Sequence, residues 1–69
     1  MRICQLKIDL PYLPKGTRYN FDDESGNVYR LDDEGRPFEY PLRSSLAGYL
    51  WLLLIDGRKY LKQISPTPR

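Results

Sequence analysis

With 69 residues, a net charge of +2, a single cysteine and no histidine, the chain has room for one domain and no means of forming an internal disulfide or a His/Cys metal centre. Its hydrophobic fraction of 41% and aromatic fraction of 13% are too high for a disordered chain. A domain this short nevertheless withdraws only about 60% of its surface from water on folding, so extra stability is left to oligomerisation or a bound partner. The charge is segregated: residues 1–20 carry Arg2, Lys7, Lys15 and Arg18 against Asp9, residues 21–40 carry seven acids against Arg30 and Arg36, and residues 41–69 carry five bases against Asp56.

Arg2 to Asp9 places Ile3, Leu6 and Ile8 in imperfect alternation without Gly or Pro, which predicts a first strand. Cys4 lies inside it and reads as a small buried hydrophobe. Leu10-Pro11-Tyr12-Leu13-Pro14-Lys15-Gly16 follows as an ordered loop, because two prolines remove donors and extend the residues before them. Thr17 to Phe21 opens a second strand with Tyr19 and Phe21 on one face.

Two copies of one pattern come next, Asp22-Asp23-Glu24-Ser25-Gly26 and Asp32-Asp33-Glu34-Gly35, with Val28-Tyr29-Arg30-Leu31 between them. They predict two tight acidic turns around a third strand, Gly supplying the positive φ that the reversals need. In that strand Tyr29 and Leu31 share a face and are expected to point inward. Arg36-Pro37-Phe38-Glu39-Tyr40-Pro41 reads as a short edge strand with proline at its margins.

Residues 42–64 admit two readings. As a hairpin, Tyr49 to Ile55 is a strand buried on both faces, Asp56-Gly57 a two-residue turn, and Arg58 to Ile64 the return, pairing Leu53 with Tyr60 and Trp51 with Lys62. As a helix, Ser44 or Ser45 is the N-cap, Leu42, Leu46, Tyr49, Leu50 and Leu53 share one face, and Gly57 ends it. The Asp-Gly signal favours the hairpin. The expected fold is therefore mainly β, a small single-domain antiparallel meander or SH3-like barrel of about five strands over residues 1–64, followed by a disordered tail at 65–69. The alternative is an α+β fold with residues 44–55 as one helix packed on the sheet.

Function is read by elimination. Without histidine, a general base would have to be a carboxylate, Lys or Tyr, and the obvious carboxylates sit on exposed turns where their pKa values stay ordinary, so no enzyme and no cofactor is expected. Asp22, Glu24 and Asn27, or Asp32 and Glu34, could offer oxygens to Ca²⁺, but neither set matches the D-x-D-x-D-G loop with its distant bidentate Glu, and no metal is expected. The N-terminus lacks the apolar stretch of a secretion signal, and the run Leu46–Ile55 is half of a bilayer span, so the expected setting is cytoplasmic, away from membranes.

Binding a macromolecule remains. The first expectation is a protein partner: the acidic turns present Asp22, Asp23, Glu24, Asp32, Asp33 and Glu34 to a basic groove, as a small inhibitor or adaptor of phage or mobile-element type would. The alternative is a nucleic-acid-binding face built from Lys15, Arg18, Arg58, Lys59, Lys62 and Tyr60, stacking bases and meeting phosphates. The apolar run, with Trp51 its most informative residue, is a third candidate surface, for a homodimer or another partner.

Overall fold

Alternation along the first strands sorts their side chains into two layers, and the computed structural model, which describes residues 2–56 and 60–65, places them on a single antiparallel sheet. Strands β1 (Arg2–Leu6), β2 (Arg18–Phe21) and β3 (Val28–Arg30) form a meander, helix α1 (Ser44–Asp56) follows, and β4 (Leu61–Ser65) returns to the far side of β1. The strand order is β3-β2-β1-β4. The sheet has two edges and does not close into a barrel, and the regular strands number four. Only Ser65 of the expected tail is described, and it belongs to β4; Pro66 to Arg69 lie outside the described residues.

Register assigns the layers. Cys4 faces Tyr19, Phe21 faces Val28 and Leu6 faces Leu61 across neighbouring strands, and cross-strand partners project to the same side. All six are buried, and they form the core with Leu13, Ala47 and Leu50. The inward residue of β3 is thus Val28, correcting the expectation for Tyr29 and Leu31. Those two do share a face, but Tyr29 is only partly buried, and Leu31, although buried, lies outside the core cluster. Cys4 is fully buried, which pushes its thiol pKa up against the opposing pull of the Arg2 charge.

The loop after β1 is closed by reciprocal bonds between the backbones of Leu10 and Leu13, 3.0 and 2.9 Å. Pro11 and Tyr12 form the bend, and Tyr12 takes a φ of 64°, unusual for an aromatic residue. After β3, the expected edge strand over 36–41 is absent. Instead Leu31 and Pro37 form one isolated bridge, and the N–H groups of Phe38 and Leu42 donate to the carbonyls of Arg30 and Val28. The prolines at 37 and 41 have no N–H to continue a ladder, yet the segment covers the free edge of β3.

The hairpin expected over residues 49–64 is overturned by α1. Leucine is a strong helix former, and Ile55 is the only β-branched residue between Leu46 and Ile55, so the run has little of the composition that favours strands. Trp51 and Leu53 therefore pair with no strand, and Lys62 lies opposite Gln5 of β1; Gly57 of the supposed turn is outside the described residues. Neither serine caps the helix. The carbonyl of Arg43 accepts the first helical bond, from Ala47 at 3.0 Å, which makes Arg43 the N-cap residue. Ala47 and Leu50 are buried toward the sheet, whereas Tyr49, expected on the buried face, is exposed along with Leu52 and Ile55.

One side chain fastens helix to sheet. The Trp51 indole meets the Phe21 ring edge-on at 5.0 Å and 78°, carries the Arg2 guanidinium on its face at 5.5 Å, and donates its N–H to the Gly26 carbonyl at 2.8 Å. Trp51→Phe leaves that carbonyl without its donor and shrinks the packed ring, and is expected to cost about 1–2 kcal/mol, a fall of roughly 4–16 °C in Tm for a domain this size. Gly48 lies mid-helix with open space around its Cα, so Gly48→Ala is expected to stabilise the dilute protein by about 1 kcal/mol. Thermal melts followed by circular dichroism check both.

Candidate functional site

Each acidic turn is built by its own leading aspartate. The Asp22 carboxylate accepts the backbone N–H of Glu24 at 3.0 Å, and the turn closes where the Asp22 N–H donates to the Asn27 carbonyl and Gly26 adopts a φ of 80°. The Asp32 carboxylate accepts the N–H groups of Glu34 and Arg36, both at 2.9 Å, with Gly35 at a φ of 87°. These are side chains folding back onto their own backbone, the habit that makes aspartate a turn residue. The bond from the Glu24 N–H, then that from the Ser25 hydroxyl, holds the Asp22 carboxyl below the usual range; for Asp32 the Arg36 N–H contributes most.

The turns sit at opposite ends of β3, about 16 Å apart along the strand between Asn27 and Asp32. Six carboxylates therefore form two groups of three rather than one array. Arginines on neighbouring strands reach both groups. Arg2 bonds the Asp23 carboxylate at 2.7 Å, and the Arg18 guanidinium donates to the carbonyls of Asp32 and Asp33 at 3.2 and 3.0 Å. Within the second turn, Arg36 pairs with Glu34. Among the described residues, the carboxylates of Glu24 and Asp33 are left facing solvent without an ion pair.

The basic candidates, scattered along the chain, converge on the sheet. Helix α1 covers one face of the sheet, and no described helix or strand lies over the other, the bare face: Lys7 and Lys62 are exposed there and Gln5, Arg18, Asn20 and Tyr29 half-buried. On that bare face Gln5 is the cross-strand partner of Arg18 on one side and of Lys62 on the other, and its amide donates to the carbonyl of Gly16, next to Lys15. Lys7 continues β1 by donating its N–H to the Tyr60 carbonyl at 2.9 Å. Asn20 links the next row, paired with Ile3 and Tyr29. None of these bare-face strand positions carries an acidic residue. Lys15, Arg18, Lys62 and Tyr60 are thus neighbours around Gln5 and Lys7; Arg58 and Lys59 lie outside the described residues. Gln5, Lys7 and Tyr29 were not singled out by sequence, and only the alternation shared with Arg18 could have revealed them.

Trp51, the aromatic expected at an apolar interface, is turned toward the sheet, so the exposed apolar residues of α1 are Tyr49, Leu52 and Ile55. Among the described residues no three His, Cys, Asp or Glu side chains are grouped to hold a metal ion, and no helix is long and apolar enough to cross a membrane. Compared with protein-family models, curated proteins and solved structures, the chain matches none. Its function has to be argued from its own residues.

The turn aspartates carry a pH signature. Both are held below their unfolded value, so the stability they contribute is complete above about pH 4 and is lost as pH falls through the folded values. Asp22→Asn combined with Asp32→Asn keeps an oxygen acceptor in each turn but removes the titration, and is expected to flatten the fall in urea midpoint between about pH 4 and about pH 2. An unchanged fall would assign acid sensitivity to other carboxylates.

Proposed function

We propose that this protein is a small non-enzymatic binding module whose bare sheet face holds single-stranded nucleic acid. The observation that carries this reading is the convergence of Lys7, Arg18 and Lys62 around Gln5, with Tyr29 in the adjoining row, on a face free of strand carboxylates. Exposed ammonium groups attract phosphates, and a tyrosine ring offers a surface on which any base can stack. Arg18 is braced by the carbonyls of the second turn, which fixes a cation that would otherwise lose rotamer freedom on binding. A flat sheet accepts an extended strand more readily than a duplex. The buried thiol of Cys4 is compatible with a reducing, cytoplasmic setting.

The protein-binding reading rests on the same molecule's opposite charge. It is supported by Glu24 and Asp33, which point two solvated carboxylates outward at either end of β3. Most of the other acids serve the turns themselves, and this ranks the bare face first.

Titration against labelled single-stranded DNA and RNA is expected to show micromolar binding that weakens with salt, the slope of log affinity against log salt being about −2 for three phosphate contacts. Lys7→Glu with Lys62→Glu should lower affinity at least about tenfold with the melting profile unchanged, and Tyr29→Ala by a similar factor through lost stacking, with its circular dichroism at the binding temperature still that of the folded protein. Absence of binding at low salt would sink this reading. A pull-down with the wild type and with Asp22, Asp23, Asp32 and Asp33 all changed to Lys would then test the acidic turns.

A further inference from the structure

We propose that two copies of this chain pair through the outward face of α1, with the helices antiparallel about a two-fold axis near Leu50. The face turned away from the sheet carries Ser45, Gly48, Leu52 and Ile55 at alternating three- and four-residue spacing, the seam of a helix pair. Leu52 is 63% and Ile55 77% exposed, in a helix whose other side already packs on the core. A helix apolar on both sides is expected to be covered on both.

The distribution of sizes along the seam selects the partner and its direction. The small residues, Ser45 and Gly48, lie in the first half, and the large ones, Leu52 and Ile55, in the second. Run antiparallel, Ile55 of one copy meets Ser45 of the other and Leu52 meets Gly48, so each of the four layers sets large against small. Run parallel, the same seam would stack large on large and leave a gap at Gly48. A Cβ at Gly48 would point into open space, so no packing among the described residues calls for a residue that weakens a helix; the approach of a second helix to within about 8 Å does.

Charge and shape agree with this direction. Arg43 stands at the positive end of the helix and Asp56 at the negative end, with no acidic residue in the first turn and no basic one in the last, so each opposes its own helix dipole. Among the described residues neither is in an ion pair. The antiparallel arrangement carries Arg43 of each copy to Asp56 of the other, at both ends of a helix about 20 Å long. Beside Ser45 is a hollow of about 320 Å³ lined by Tyr12, Arg43, Ser45 and Leu46, placed to receive the other copy's Ile55. Tyr12, 89% exposed at its positive φ, forms the wall of that hollow. A contact of this length buries under about 1,200 Å² in total, the range of weak and transient pairs.

Sedimentation equilibrium of the whole chain, from low micromolar to several hundred micromolar, is expected to rise from the mass of one chain to that of two. Leu52→Lys and Gly48→Leu should each hold it at one chain, the second while raising the melting temperature of the dilute protein. Arg43→Asp alone should weaken pairing by about tenfold, and Asp56→Arg added to it should restore pairing. Circular dichroism identical to wild type confirms that each variant is folded. A mass of one chain throughout, a mass that climbs beyond two, pairing that survives Gly48→Leu, or a charge swap that fails to restore pairing overturns the proposal.

Discussion

The Trp51 indole lies where helix, sheet and first turn meet, and the exposure of every other surface follows from how it is held. Its ring against Phe21 and its N–H on the Gly26 carbonyl fix the rotation of α1 about its axis. With that rotation set, Ala47 and Leu50 face the sheet; Leu52 and Ile55 must then face away, because residues two and five positions beyond Leu50 fall on the other side of a 3.6-residue turn. The same contact commits the single helix to one face of the sheet. No other described helix or strand covers the second face, so Lys62 stays exposed and Gln5, Arg18 and Tyr29 half-exposed. One aromatic contact thus sorts the molecule into a covered face, a bare face and an outward helix.

Local signals carried the first half of the fold. The strands β1 to β3 and the two Gly-bearing turns are legible because alternation, Asp and Gly act within a few residues of one another. Facing direction in β3 was not, since with only three residues the period cannot tell which side is the core; the partner Phe21 decides it, and pairing is not written in β3 itself. In the Leu-rich run the local signal misleads, because Asp56-Gly57 between apolar residues is a strong hairpin signal. What outweighed it was the sheet's need for a cover, satisfied by residues of high helix propensity. β4 then pairs with β1 rather than with the run before it, a long-range choice that no local pattern encodes.

The candidate surfaces were legible in kind more than in place. Aspartates repeated at a ten-residue interval invite a functional reading, yet Asp22 and Asp32 spend their carboxylates on backbone N–H groups. Repetition here records a building rule used twice. The bases are the reverse case: Lys15, Arg18 and Lys62 are scattered in sequence, and only the order β2-β1-β4 brings them together. Gln5, an inconspicuous residue in the first strand, is their common neighbour because β1 is central. Centrality in a sheet is a property of topology, so its consequences were hidden until the pairing was known.

That central position also governs the order in which the molecule can be made. β1 needs β4 as its second neighbour, and Ile3 is paired with Ser65 across almost the full length of the chain. The meander of β1 to β3 and even α1 can form first, but β1 then has a naked edge and the core lacks Leu61 until β4 docks. Until β4 docks the molecule is an open three-stranded sheet in which β1, paired only with β2, is an edge, the form most prone to pair with a neighbour. Such non-local closure also slows folding relative to a hairpin meander of equal size. A sheet closed by its most sequence-distant pairing stays open to such misassembly for longer than the small size of the molecule alone would suggest.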